Sequence, residues 1–272
     1  MSAVQIRDLL QDGRLPRLEA RMLVERVWQR SRAWLLAHDD EPAEPALCAA
    51  YEALAQRRLA GEPMAYVLGE REFMGHVFAV SPAVLIPRPD TETLVEAALA
   101  FLAGRPAARV LDLGTGSGAI AISIALACPQ AEVTATDLSA DALAVARANA
   151  GRLGASLTLA QGSWFEALAP GQKYDLIVSN PPYIHRDDHH LSQGDLRFEP
   201  PGALSDGADG LSALAEIAAQ APRWLAPGGA LWCEHGWDQA GAVRALLQAS
   251  GLKNVESRRD LGGIERISGG FL

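Results

Sequence analysis

The chain from Arg109 onward alternates between short apolar runs and longer amphipathic runs, and this alternation restricts the fold more than any other feature. Short apolar or β-branched runs predict strands, and apolar residues that recur every three or four positions predict helices. Such alternation is typical of a doubly wound, mostly parallel α/β sheet. The predicted strands are 110–113, 132–136, 157–161, 174–179, 230–234, 254–257 and 264–268, and the predicted helices are 118–128, 140–152, 211–224 and 239–250.

The chain before this region has a helical pattern instead. Apolar stripes at helical spacing predict helices at 15–30 and 46–59, which Gly61 and Pro63 bring to an end. Ser31 predicts an N-cap for a short helix that reaches Leu36. These segments predict a small helical bundle of their own.

Two short extended runs, 70–74 and 76–80, flank Gly75 and predict a β-hairpin. A proline-bearing connector follows, and Asp90 is a candidate N-cap for a helix over 91–102. We therefore expect a helical domain over residues 1–68, a hairpin and linker over 69–89, and an α/β domain over 90–272.

The charge balance excludes one class of partner. The chain has 24 basic and 33 acidic residues, a formal net charge of −9, and its only lysines are Lys173 and Lys253. Proteins that bind nucleic acid through its phosphates need clustered positive charge. We therefore expect a partner that is not nucleic acid.

The three cysteines, Cys48, Cys128 and Cys233, are far apart in the sequence and odd in number. This spacing predicts reduced thiols rather than a disulfide framework or a zinc site. The first residues lack the pattern of a signal peptide, and no apolar run is long enough to cross a bilayer. We expect a cytoplasmic monomer that does not contact membranes.

A glycine-rich loop, VLDLGTGSGAIA, lies between the first strand of the α/β region and its helix. Gly114, Gly116 and Gly118 allow a tight turn and a close approach of the backbone to a ligand. Asp137 ends the next strand, where an acidic residue binds the ribose diol of an adenosine cofactor. The spacing also fits nicotinamide dinucleotides. Asp112 favours S-adenosylmethionine, since that cofactor carries a cationic group where a dinucleotide carries pyrophosphate.

Two of these residues have structural alternatives. Asp137 also suits the N-cap of the following helix. Trp164, after the third strand of the sheet, is a candidate cover for the adenine ring, and the alternative is that it packs in the core.

The sequence Asn180-Pro181-Pro182-Tyr183 follows the fourth strand of the sheet directly, so it should share a crevice with the glycine loop. Prolines stiffen this loop, so that the Asn180 side-chain oxygen and the Pro181 carbonyl can accept both hydrogens of one planar NH₂ group. Tyr183 can pack on the face of the same group. Two such acceptors suit an amide or exocyclic amine that attacks a methyl donor, so Asn180, Pro181 and Tyr183 are the catalytic candidates.

Taken together, these motifs resemble the class I S-adenosylmethionine-dependent methyltransferases that modify amide or amino nitrogen. YVLGEREFMG (66–75) and LIPRPDTE (85–92) resemble the HemK/PrmC family more closely, and the likeness covers nearly the whole chain. It implies a Rossmann-like, mostly parallel seven-stranded sheet with a helical substrate-recognition domain in front. It also implies methyl transfer to N5 of the glutamine in the GGQ motif of class I peptide chain release factors. Met74 departs from the family, which often has an aromatic residue there.

The resemblance also implies roles for individual residues. The cofactor would be contacted by Asp112, Gly114, Thr115, Gly116, Ser117, Gly118, Asp137, Leu138, Trp164 and Asn180. The substrate glutamine would be held by Asn180, Pro181, Pro182, Tyr183, Phe73 and Arg88.

Other functions remain as alternatives at this stage. A sister family methylates a glutamine of a large-subunit ribosomal protein, but it tends to carry cysteine in place of Gly114 and a different sequence after Pro87-Arg88. DNA adenine methyltransferases share a motif like NPPY but need a basic surface. A nicotinamide oxidoreductase would need a catalytic acid or base, and a non-catalytic binding module would not need both motifs.

The remaining polar residues predict little chemistry. We expect no metal at Asp187-Asp188-His189-His190, within a polar loop over 184–206 that is either solvated or ordered by a docked substrate. We interpret His235 as a strand-end residue rather than a base, and Glu199 as a residue that shapes the loop. Arg88 and Glu92 are candidates for an ion pair or a partner contact.

Overall fold

The structure is a computed structural model that describes residues 4–272. The chain divides into two compact units, Met1–Gly69 and Glu70–Leu272. In the part that the structure describes, no helix is both long and apolar enough to cross a membrane.

The first unit is helical, as the sequence predicts. Ser31 caps the third helix, where its hydroxyl accepts a hydrogen bond from the Trp34 amide at 3.3 Å. Tyr51 lies fully buried at the centre of the bundle and donates a hydrogen bond to Asp12 at 2.9 Å. The helices among residues 4–69 are α1 (Ile6–Leu10), α2 (Arg17–Trp28), α3 (Arg32–Ala37), α4 (Pro45–Leu59) and α5 (Met64–Leu68).

The second unit begins with the predicted hairpin, β1 (Glu70–Phe73) and β2 (His76–Ala79), which pair antiparallel. Met74 and Gly75 form the turn, both with positive φ, of 51° and 76°. The helix that follows is α6 (Glu92–Leu102), preceded by a 3₁₀ turn at Pro89–Thr91. The prediction that Asp90 caps this helix is wrong, because that turn moves the N-cap to Thr91.

The seven-stranded sheet has the order β5-β4-β3-β6-β7-β9-β8, and only β9 runs antiparallel to its neighbours. Helices cover both faces, with one apolar core on each side. The strands are β3 (Arg109–Leu113), β4 (Glu132–Asp137), β5 (Thr158–Gln161), β6 (Tyr174–Ser179), β7 (Leu225–Glu234), β8 (Lys253–Arg259) and β9 (Glu265–Phe271). The remaining helices are α7 (Ala119–Ala127), α8 (Ala140–Leu153), α9 (Pro201–Leu204), α10 (Ser212–Trp224) and α11 (Ala240–Ala249).

The strand order confirms the doubly wound sheet that the alternating pattern predicts. The order reverses between β3 and β6, since β4 and β5 lie on one side and β7 to β9 on the other. A crevice opens at the carboxyl ends of strands at such a reversal, and ligands of α/β proteins bind there.

Candidate functional site

A cavity of about 440 Å³ lies where the strand order reverses. This volume falls within the range of roughly 300–1,000 Å³ that is usual for small-molecule sites. Its walls come from the glycine loop after β3, the ends of β4 and β6, the connector before α6, and the segment that contains α9.

Three glycines of the loop have positive φ, which is accessible to glycine at little cost. The backbone amides of Gly114 and Thr115 both donate to the Thr136 carbonyl at 2.9 Å. The Gly116 amide donates to Asp137 Oδ2 at 2.8 Å, so the carboxylate at the end of β4 holds the loop that follows β3. Hydrogen bonds therefore join the loop to its acidic partner.

Asp137 also accepts a hydrogen bond from the Ser139 amide at 2.9 Å. The N-cap of α8 is Ser139, whose hydroxyl accepts from the Ala142 amide at 3.2 Å. The alternative interpretation of Asp137 as the cap of that helix is therefore wrong. Its carboxylate lies on the cavity wall beside Leu138, which is 71% exposed.

Asp112 does not reach the cavity wall. It is fully buried at the end of β3 and accepts a hydrogen bond from the Thr115 hydroxyl at 2.7 Å. Burial raises the pKa of its carboxyl to about 7, and the bond from Thr115 opposes this rise. In this structure Asp112 supports the loop from beneath, whereas the sequence suggested a direct contact with a cationic ligand.

Trp164 lies at the cavity with φ of 45°, which is unusual for a bulky residue. Its carbonyl accepts a hydrogen bond from the Thr136 hydroxyl at 3.0 Å. A Cβ atom on Gly114 would lie 3.3 Å from Trp164 Cζ3, so glycine gives the ring the space it occupies. Trp164 is half-buried against one core of the sheet and also lines the cavity, so its packing in the core leaves part of the residue at the cavity wall.

The Asn180 side chain is oriented by a neighbour on a distant segment. Its Nδ2 donates to the Thr91 hydroxyl oxygen at 3.2 Å, which leaves Oδ1 available to accept hydrogen bonds. Thr91 is only 4% exposed and lines the cavity together with Asn180 and Pro182. Thr91 was not a sequence candidate, because nothing in the sequence pairs it with a residue 89 positions later.

A buried carboxylate lies behind this pair. Tyr183 donates its hydroxyl hydrogen to Glu234 Oε1 at 3.0 Å, at the end of β7. Burial raises the pKa of the Glu234 carboxyl to about 7, and hydrogen bonds from Thr91 and Tyr183 partly oppose the rise. Burial also raises the pKa of Tyr183. Glu234 thus anchors Tyr183, whereas Asn180 is held by Thr91.

Arg88 pairs with Glu199 rather than with Glu92, so the ion pair that was one of the two alternatives for Arg88 and Glu92 is not formed. The Glu199 side chain is buried and also accepts a hydrogen bond from the Ile86 amide at 3.0 Å. Glu92 instead accepts from the Met74 amide at 2.8 Å. The buried Glu199 therefore fastens the connector to the segment that carries α9, which agrees with its expected role in shaping that segment.

The structure gathers most of the candidate residues around this cavity. Its lining includes Arg88, Gly114, Thr115, Gly116, Ser117, Asp137, Leu138, Trp164, Asn180 and Pro182. The candidates outside the lining are Phe73, Asp112, Gly118, Pro181 and Tyr183. Phe73 is 1% exposed and packs edge-to-face on Phe78 in the core, so it has no surface to offer a substrate here.

Two other groups of polar residues lie apart from the cavity lining. Asp188, His189 and His190 place potential ligand atoms within 4.8 Å of one another, and the Asp188 carboxylate already contacts His190 Nδ1 at 2.7 Å. His235 is buried and contacts Ser268 Oγ at 2.8 Å through Nε2. Burial lowers the pKa of His235, so at neutral pH it is an uncharged strand-end residue.

The residues present fit an adenosine-containing cofactor. The Asp137 carboxylate has acceptor capacity beyond its two amide partners and can bind a ribose diol. Leu138 and Trp164 supply apolar surface on the same wall for an aromatic ring. At Gly116, which lines the cavity, the position that a side chain would take is open, so a ligand can approach the backbone closely there.

Two family models match the chain. The PrmC N-terminal domain matches residues 4–69, and the methyltransferase small domain matches residues 91–195. The chain is also similar to a solved structure, a methyltransferase from Pyrococcus furiosus, with a TM-score of 0.54 and 19% identity over 79% of this chain and 96% of that chain. This likeness concerns the fold, which is that of a class I methyltransferase.

Two relatives are similar over almost their whole length. The chain is 70% identical to the release factor glutamine methyltransferase of Bordetella pertussis, over 98% of this chain and 99% of that protein. It is 53% identical to the protein of the same name from Burkholderia pseudomallei, over 97% of this chain and 95% of that protein.

Proposed function

The chain belongs to the release factor glutamine methyltransferase family, as its motifs predicted, and we propose that it methylates N5 of the glutamine in the GGQ motif of class I peptide chain release factors. The methyl donor is S-adenosylmethionine. The observation that carries this proposal is the fixed orientation of Asn180, a residue of the cavity wall, whose Nδ2 is held by Thr91 and whose Oδ1 has no hydrogen-bond partner among residues 4–272.

The cofactor supplies an electrophilic methyl group on a positively charged sulfur. Asp137 binds the ribose hydroxyls, and Leu138 and Trp164 contact the adenine ring. The glycine loop, Gly114 to Gly118, contacts the remaining part of the cofactor. Since the Gly116 amide and Asp137 already hold each other at 2.8 Å, this surface is preorganised for the ligand.

The substrate amide is held by two acceptors. Asn180 Oδ1 and the Pro181 carbonyl take its two hydrogens, which increases electron density on nitrogen and stabilises the positive charge that develops there. Glu234 keeps the Tyr183 side chain in place at the end of the same motif. Positioning of this kind contributes up to about 7–11 kcal/mol to lowering a barrier. No strong base is needed before attack, because the amide nitrogen becomes acidic only once it carries the methyl group.

The first unit has a separate task in this proposal. Residues 1–68 recognise the release factor, residues 69–89 form a hairpin and linker, and residues 90–272 carry out methyl transfer. Translation termination is a cytoplasmic process, so the proposed substrate implies that the protein acts there.

Transfer of isotope-labelled methyl groups tests this function. We expect label on a release factor isolated from a strain that lacks the enzyme, and none on the same factor with its GGQ glutamine changed to alanine. Asn180→Ala should lower turnover far more than it weakens cofactor binding. If the label appears instead on a large-subunit ribosomal protein, the protein has the activity of the sister family and the proposal is wrong.

A further inference from the structure

The first unit contains a second cavity, of about 370 Å³, among α1, α2 and α3. We call it the arginine pocket, because four of its lining residues are arginines and only one is acidic. Those five residues are Arg7, Arg17, Arg21, Arg32 and Asp39. The concentration of positive charge is notable in a chain whose net charge is −9.

Most of these guanidinium groups have no partner among residues 4–272. Within residues 4–272, no ion pair or side-chain hydrogen bond is formed by Arg7, Arg17 or Arg32, and Arg21 approaches Glu25 only to 3.5 Å. The Nε atoms of Arg7 and Arg21 are buried without a hydrogen-bond partner in that range. A buried N–H donor without an acceptor raises the free energy of the folded unit. A ligand that supplies an acceptor in the pocket would lower that free energy.

Several other arginines of the same unit pair with carboxylates. Arg14 pairs with Asp12 and Glu52 at 2.8 and 2.7 Å. Arg58 pairs with Glu19 at 2.8 Å. Among residues 4–272, Arg26 and Arg30 also form no ion pair, but both are exposed to solvent, whereas Arg7 and Arg21 of the pocket have buried Nε atoms without a hydrogen-bond partner.

The pocket also has apolar residues. Leu18 and Leu36 both line it, and they are 56% and 55% exposed. A ligand that satisfies both features carries anionic oxygens next to apolar groups. Arginine forks bind carboxylates through paired N–H donors.

We propose that the arginine pocket binds an acidic segment of the protein substrate, in which at least two carboxylates lie beside an apolar side chain. This inference rests on the proposed function, because it identifies the partner as the release factor. The pocket is a small concavity, and the chain as a whole repels polyanions, so a protein segment suits it better than a nucleic acid.

Charge reversal at the exposed arginines of the pocket tests the proposal. We expect Arg17→Glu with Arg32→Glu to raise the dissociation constant for the release factor, measured by calorimetry, at least tenfold in low salt. Affinity for S-adenosylhomocysteine, and turnover at saturating release factor, should stay within twofold of the wild type. The difference in affinity should shrink as salt rises.

The matched control is Arg26→Glu with Arg30→Glu, two exposed arginines that lie outside the pocket lining and give the same change in net charge. It should bind the release factor within about twofold of the wild type. The proposal is overturned if the pocket variant binds as well as the wild type, or if the control loses as much affinity. All four positions are exposed, so both variants should unfold at about the wild-type temperature. Thermal unfolding measures this and distinguishes a loss of affinity from misfolding.

A photo-crosslinking amino acid in place of Leu36 identifies the occupant. Mass spectrometry should find the crosslink on a release-factor peptide with at least two aspartates or glutamates. A crosslink to a peptide without acidic residues, or to RNA added in competition, contradicts the proposal. Wild-type protein that binds the release factor but transfers no methyl would overturn the proposed function alone, whereas failure to bind it would overturn both.

Discussion

At the scale of single residues, the site depends on side chains that the motifs do not contain. The sequence motif contains Asn180 and Tyr183. The orientation of the Asn180 side chain is fixed by its hydrogen bond to Thr91, and that of the Tyr183 side chain by its hydrogen bond to Glu234. These partners come from the start of α6 and the end of β7. A motif therefore identifies the reacting surface, whereas the fold supplies the groups that orient it.

Loss of the Thr91 hydroxyl should impair turnover selectively. In Thr91→Val the Asn180 amide loses the acceptor that fixes its orientation, so we expect kcat to fall about 10- to 100-fold, equivalent to about 1.4–2.7 kcal/mol. Thr91→Ser keeps the hydroxyl and should stay within about threefold of the wild type. Steady-state kinetics with calorimetry for S-adenosylhomocysteine checks this, and equal losses in both variants would contradict it.

Glu234 should make the free energy of unfolding depend on pH. Its pKa is raised from 4.5 to about 7, so the folded state holds the proton more tightly than the unfolded state. Its stabilising contribution is complete below pH 4.5 and is lost as pH rises through about 7. Wild-type protein should therefore lose about 1–3 kcal/mol more stability between pH 5 and pH 8 than Glu234→Gln.

Chemical denaturation at the two pH values checks this prediction. Glu96→Gln, at an exposed position of α6, is the control. Its free energy of unfolding should differ between pH 5 and pH 8 by as much as that of the wild type. If Glu234→Gln also shows the wild-type difference in unfolding free energy, the buried carboxyl is not the source of the pH dependence.

At the scale of elements, the sequence predicts long periodic segments well and short ones poorly. Each of the seven strands of the sheet was predicted to within a few residues, apart from β7, which begins at Leu225, five residues before the predicted start at residue 230. The helices α1 and α5 were missed because each has five residues, too few to show a period. The 3₁₀ turn before α6 was missed for the same reason.

The residues of the candidate site also fall into two groups, those that local motifs predict and those that only the folded chain brings together. Local motifs predicted the glycine loop, Asp137 and NPPY, because their chemistry lies in adjacent residues. The pair Arg88–Glu199 is 111 positions apart, and no local pattern joins its members. Phe73 stands in a motif that resembles the family, yet only the packed hairpin shows that its ring is in the core.

The link between β4 and the glycine loop should control cofactor affinity. Asp137→Ala removes the acceptor for the Gly116 and Ser139 amides as well as the proposed ribose contact. We expect the dissociation constant for S-adenosylhomocysteine to rise about 10- to 100-fold, since hydrogen bonds to a charged group contribute about 1.5–3 kcal/mol.

Asp141→Ala, at an exposed position in the first turn of α8, is the matched control and should bind within about twofold of the wild type. Calorimetry measures both variants. Unchanged affinity in Asp137→Ala would show that the ribose contact is assigned wrongly.

At the scale of the whole molecule, the proposed function assigns a different task to each of the two units. The α/β unit holds a cavity suited to the cofactor and to one planar amide, and the helical unit holds the arginine pocket. An amide site alone distinguishes poorly between glutamines, because every glutamine offers the same NH₂ group. Selection of one glutamine therefore requires contacts with the rest of the substrate protein.

Peptide mass spectrometry of a methylated release factor tests the central claim most directly. The protein is incubated with S-adenosylmethionine and a release factor from a strain that lacks the enzyme, and the factor is then digested and sequenced. The account predicts a single added methyl group on the side-chain nitrogen of the GGQ glutamine, and none with Asn180→Ala over the same interval. A methyl group on any other residue, or none with the wild-type protein while S-adenosylmethionine binds, would contradict it.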